Sequence, residues 1–139
     1  MSAVAGLAGA VQVSVMGRLG ERIGSVEALA FSAVVMTVVT GAALIAVRQS
    51  FDGYGAAVRE PAWLWLGGVM GAIIVFTITI AGPRIGILAT SSLLIAGQFC
   101  AGTVIDRFGW FGVSRVDVSW QRVLGLVLLA AGAALALRR

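Results

Sequence analysis

The sequence predicts an all-α membrane protein with five transmembrane helices per chain, working as an antiparallel (inverted) homodimer of ten helices. Three observations carry that prediction. Sixty per cent of the 139 residues are hydrophobic and 12% are charged, where a soluble domain carries roughly 25% charged residues. The apolar residues lie in long blocks, without the two-faced periodicity of a soluble helix. The basic residues are ten arginines and no lysine, placed between the blocks and dividing five against five when successive loops are assigned to alternate sides.

The spans are predicted over about 1–16, 26–47, 62–81, 85–105 and 122–137, in a single transmembrane domain covering 1–139. The runs Ala28–Val47, Ala62–Ala81 and Ile85–Ile105 are long and nearly uncharged. A run of about 20 residues rises about 30 Å, the thickness of a hydrocarbon core. The first run, Met1–Met16, has no charged side chain. It lacks the basic n-region of a secretory signal and leads directly toward another span, so it reads as a helix that stays in the membrane. The last run, Val123–Leu137, is shorter, and is flanked by Arg122 and by Arg138–Arg139. Arginine stems that snorkel toward the headgroups extend its reach.

Short and long connections alternate. Gly17–Gly24 and Gly82–Pro83–Arg84 read as tight turns, while Arg48–Pro61 and Asp106–Gln121 are longer. Short links favour antiparallel helical hairpins. The turns also look alike, Gly17-Arg18-Leu19-Gly20 beside Pro83-Arg84-Ile85-Gly86, which raises an internal hairpin duplication. The last loop holds Phe108, Trp110, Phe111 and Trp120, and Trp63 and Trp65 open the third span. Rings of this kind prefer the headgroup level. Val113–Trp120 alternates apolar with polar residues, as an extended interfacial segment would. Asp106, Arg107 and Asp117 are placed for local pairing. Small residues at four-residue spacing, such as Gly67/Gly71 and Gly97/Ala101, predict close helix packing, because lipid offers helices no hydrophobic reason to associate.

One side of the membrane receives Arg48, Arg59, Arg107, Arg115 and Arg122; the other receives Arg18, Arg22, Arg84, Arg138 and Arg139. An excess of Lys and Arg on one side normally sets orientation. Without an excess, the chain is expected to insert both ways and pair with an inverted copy. Such a pair has a pseudo-two-fold axis in the membrane plane, the symmetry alternating-access transporters use.

No ionisable residue lies at mid-span. Glu27 sits where a second-helix first turn would place it, favourable to the helix dipole. The polar candidates are neutral: Gln12 in the first span, and Ser91, Ser92 and Gln98 in the fourth. A glutamine amide offers two donors and an acceptor that lipid cannot satisfy. Interhelical bonding and solute contact both account for them. Trp63 is the aromatic candidate for the same substrate-binding set, and Arg18 and Arg84 stand at a cavity mouth. Thr37, Thr40, Thr77, Thr79 and Thr103 are expected to satisfy themselves on their own helices. Cys100, the single cysteine, reads as a packing residue. With no histidine, no clustered carboxylates and no activated nucleophile, an enzyme is disfavoured. No cofactor or metal is expected, and scattered arginines without an aromatic platform do not suit nucleic acid.

The order of several pieces is more specific than any one of them. Gly6 and Gln12 precede Gly17–Gly24; Trp63, Gly67-Gly68 and Gly71 follow. Then come Pro83-Arg84-Ile85-Gly86, Gly97-Gln98, Asp106, Phe108-Gly109, Phe111-Gly112 and Gly125…Gly132. Over nearly all its length the chain resembles the YdcZ-type short five-helix branch of the drug/metabolite transporter superfamily. The resemblance implies an α-bundle in the cytoplasmic (inner) membrane of a bacterium, related to small multidrug transporters, whose members occur as inverted pairs or fused halves. It implies little about substrate. Where the pattern has an Asn four residues after the Gln, this chain has Met16. The first-helix carboxylate on which small multidrug exporters depend is absent, which disfavours proton-coupled cation export by their mechanism.

The expected function is therefore secondary transport of a small organic solute, by alternating access in a dual-topology dimer. The lipid bilayer and an inverted second copy are the expected partners, with the solute unidentified. The alternative is a non-transporting membrane subunit, or half of a heteromeric transporter whose sister protein holds the site.

Overall fold

Within hydrocarbon, a backbone must satisfy its own polar groups, and a continuous helix does so segment by segment. The computed structural model describes residues 2–48, 52–117 and 119–137, and among these residues there is no strand. The helices are α1 (Ser2–Ile23), α2 (Ser25–Arg48), α3 (Asp52–Arg59), α4 (Leu66–Ile85), α5 (Ile87–Phe108) and α6 (Trp120–Leu137). A 3-10 turn at Ala62–Trp65 leads into α4, and another at Trp110–Gly112 follows α5. Five stretches are long and apolar enough to cross a membrane: Ala3–Ile23, Ser25–Val47, Ala62–Ile85, Ile87–Phe108 and Trp120–Leu137. The predicted all-α class with five spans is what the structure has.

The connections differ from the sequence reading. Gly17–Ile23 is helical, so α1 extends well past Met16, and only Gly24 separates it from α2. Likewise α4 runs through Pro83 to Ile85, leaving Gly86 alone before α5. Of the arginines in the expected turns, Arg18 lies within α1, while Arg22 and Arg84 lie in the last turns of α1 and α4. There a cation meets the negative end of the helix dipole. Each glycine has positive φ, +98° at Gly24 and +86° at Gly86, a conformation glycine adopts without steric cost. The long loop between α2 and α4 contains α3, which the sequence reading missed because Gly53 and Gly55 argue against a helix. Trp65 Nε1 donates to the Ala57 carbonyl at 3.3 Å, tying α3 to the 3-10 turn.

The connection from α5 to α6 is built around Asp106. Gly109 caps α5 in the left-handed region and donates to the Ile105 carbonyl at 2.8 Å. Val113 is extended, and the Val116 N–H donates to the Asp106 carbonyl at 3.0 Å. The Asp106 carboxylate accepts from Arg122 at 2.9 Å. The pairing expected with Arg107 and Asp117 is thus replaced by one reaching across the loop into the first turn of α6. Phe108 and Trp110 stack at a centroid distance of 5.5 Å. Phe108, Trp110, Phe111 and Trp120 are all exposed.

The chain divides into two compact units, Met1–Ser14 with Ala81–Arg139, and Val15–Ile80. In the second, Met16, Ala28 and Val75 form a buried cluster with Leu19 and Leu29 packed against it. Gly20 lies so close to Thr79 that an added Cβ would sit 2.5 Å from its Cγ2. In the first unit α5 packs along α6. There Gly82 approaches Val13, whose Cγ1 would be 3.1 Å from an added Cβ. These glycines are not the ones the four-residue spacing singled out. Gly67, Gly71 and Gly97 have no neighbour within 4 Å of an added Cβ. Close approach is set by where helices cross, and spacing alone does not locate that point.

Candidate functional site

The threonines behave as short hydroxyls in helices do. Thr37, Thr40, Thr77 and Thr103 each donate to the carbonyl four residues back at 2.8 Å, and buried Thr79 does so at 2.7 Å. Ser14 and Thr90 do the same at 2.8 Å. Their hydroxyl protons are committed locally, so toward a solute they could only accept.

The candidates behave differently. Among the described residues, Gln12, Ser91, Ser92 and Gln98 have no side-chain hydrogen bond within the chain. Gln12 is half-buried in α1, Ser91 and Ser92 are half-buried in the second turn of α5, and Gln98 is exposed. Gln98 also stands at the midpoint of α5, eleven residues from Ile87 and ten from Phe108. At about 3.6 residues per turn, Ser91, Ile95 and Gln98 share one face of that helix. The structure therefore brings Ser91 and Gln98 onto one stripe; no hydrogen bond joins either to Gln12.

Trp63 lies in the 3-10 turn that opens α4 and is about half exposed. Arg84 is exposed in the last turn of α4. Arg18 lies one turn before the end of α1 and stands 4.0 Å from Glu21, with both side chains largely exposed. Glu27 is in the first turn of α2, its carboxylate over the Cα of Gly24. That is a helix-end role, with no path into the span.

Two features were not legible as site features in the sequence. Met16 is 5% exposed and belongs to the buried cluster, so at this position the chain packs a thioether. An apolar groove of about 380 Å³ lies between α1 and α2, lined by Val15, Met16, Leu19, Phe31, Val35 and Met36 among others. Its two hydroxyl-bearing residues are Ser32 and Thr40, and Thr40 donates to its own helix. The groove offers dispersion contact and almost no hydrogen bonding. Among the described residues no group of His, Cys, Asp and Glu could hold a metal ion.

Five long apolar helices, two pairs of them joined through a single glycine, define an integral, multi-pass α-helical membrane protein. The chain belongs to the DMT_YdcZ family, described as "Putative inner membrane exporter, YdcZ", whose family model matches residues 1–135. It is similar to the inner membrane protein YdcZ of Escherichia coli (strain K12), at 30% identity over 93 residues. That alignment covers 66% of this chain and 62% of the relative. No solved structure matches the chain.

Proposed function

We propose that this protein is a secondary transporter of a small organic solute, acting as a dual-topology antiparallel homodimer in a bacterial cytoplasmic membrane. Membership of the YdcZ family across residues 1–135 supports the transporter class. The observation that carries the dimer is the five-to-five division of arginines across the loops, which leaves orientation unbiased. The inverted pair supplies ten helices in one transmembrane assembly, with an axis in the membrane plane. Gln98 is at the midpoint of its helix, the depth at which such transporters bind solutes.

In this reading Gln98, Ser91 and Ser92 offer hydrogen bonds from α5, Gln12 adds one from α1, and Trp63 supplies an aromatic face. Arg18 and Arg84 stand at the mouths. A neutral amide and hydroxyls suit a polar, uncharged or zwitterionic organic solute. The family description names an exporter, and in this reading the solute moves outward.

The test is flux in proteoliposomes. Purified protein in mixed orientation should move at least one member of a broad metabolite panel saturably. Absence of saturable flux and of binding across that panel would overturn the transporter reading. A stoichiometric, co-purifying membrane protein of different sequence would favour the heteromer instead.

A further inference from the structure

The two turns match more closely over 20–24 and 82–86 than over 17–20 and 83–86. Gly20-Glu21-Arg22-Ile23-Gly24 corresponds to Gly82-Pro83-Arg84-Ile85-Gly86, a constant offset of 62 (20 to 82, 24 to 86) with only the second residue different. The backbone bonding is the same in both. Gly24 donates to the Gly20 carbonyl at 3.0 Å and Gly86 to the Gly82 carbonyl at 3.0 Å. Ala28 donates to Gly24 at 3.0 Å and Thr90 to Gly86 at 3.1 Å. The last glycine, Gly24 or Gly86, has positive φ in both.

The same offset aligns the packing. The buried positions of α1 are Val13, Met16 and Gly17, and their counterparts Val75, Ile78 and Thr79 are buried in α4. Ala28 and its counterpart Thr90 are buried in α2 and α5. Chance could give two membrane turns four matching letters of five. It would not also align buried residues one turn and two turns before them, and again one turn after.

We propose that α1–α2 and α4–α5 are two copies of one hairpin, each turned on a single obligate glycine, and that polar chemistry has been specialised on one member of each matched pair. The copies agree at these buried positions, part at Ala89, whose counterpart Glu27 is exposed, and differ where the candidates lie. Gln12 is matched by Ile74, Ser91 by Leu29 and Gln98 by Met36. The pairing also makes Arg22 the counterpart of Arg84, displacing Arg18, which has Ile80 at its matched position.

The inference concerns the fold and stands independently of transport. It predicts that each hairpin accepts the other's side chains. At Gly86, φ is +86° and ψ is 161°, a region essentially restricted to glycine. An added Cβ there meets nothing within 4 Å, while one at Gly24 would meet the Glu27 carboxylate. Gly24 is therefore tested with Glu27 shortened.

The experiment is thermal unfolding of the purified full chain in detergent micelles, with the yield of membrane-inserted protein as a second readout. Gly86→Ala, and Gly24→Ala in a Glu27→Ala background, should lower the melting temperature by similar amounts relative to their parents. Pro83→Glu and Gln98→Met, which install the counterpart residue, should leave melting and yield near those of the unchanged protein. A glycine required in one turn and dispensable in the other would overturn the proposal, as would unfolding by Gln98→Met. Loss of proteoliposome flux in Gln98→Met with unchanged melting supports both this inference and the solute role of Gln98. Retained flux with unchanged melting removes only the solute role.

Discussion

At the residue scale, the informative side chains are those whose polar groups the chain does not use. A helical threonine returns its hydroxyl proton to its own backbone, as seen at Thr37, Thr40, Thr77, Thr79, Thr90 and Thr103, and keeps only acceptor capacity for a solute. Gln98, among the described residues, makes no side-chain hydrogen bond. Close packing is also a single-residue matter. Gly20→Val should destabilise the protein, because even the first added carbon meets Thr79 Cγ2. Overpacking of this kind typically costs about 1–3 kcal/mol. Gly67→Ala should be neutral, with open space at that position. Thermal melting of the two variants side by side checks both expectations.

At the element scale, the α5–α6 connection carries the most built-in geometry. Gly109 has a φ of 67°, and an added Cβ would also lie 2.8 Å from Arg115 Cγ. Gly109→Ala should therefore cost about 1–2 kcal/mol, the penalty for a left-handed alanine, seen as a lowered melting temperature. The Asp106–Arg122 pair has both side chains about a third exposed, and partly solvated pairs of this kind contribute roughly 0–1 kcal/mol. Asp106→Asn or Arg122→Gln alone should accordingly lower stability slightly. The exchange Asp106→Arg with Arg122→Asp should recover part of what a single reversal loses. A double variant no better than the worse single one would show that the pair does not hold the loop. Phe111, between Trp110 and Gly112, takes a positive φ of 59°, which places strain in the same connection.

At the scale of the whole molecule, the proposed function turns on orientation. Single-cysteine variants, made after Cys100→Ser, should label the loop at 109–116 from both sides of the membrane. Adding two or three lysines to the 52–61 segment should fix one orientation, and adding them beside Arg22 and Arg84 should fix the other. Each locked form alone should lose transport, and co-expression of the two should restore it. A single orientation for every copy of the unmodified chain would sink the antiparallel homodimer, while leaving the family membership and the five spans untouched.

The sequence alone determined the class of this protein, because hydrocarbon thickness and the cost of unsatisfied backbone in lipid leave long apolar helices few alternatives. It also determined the arginine balance and the neutral polar candidates, since these depend only on which residues lie between and within the apolar blocks. It did not locate the helix ends at Ile23 and Ile85. A glycine or an arginine in a short sequence reads equally well as turn or last helical turn, and only φ at Gly24 and Gly86 separates the two. Nor did it find α3, whose glycines mask an eight-residue helix, or Arg122 as the partner of Asp106, sixteen residues away across a folded loop. Those features arise where segments remote in sequence meet, and the register of the two hairpins became visible only once their hydrogen bonds and buried faces could be laid side by side.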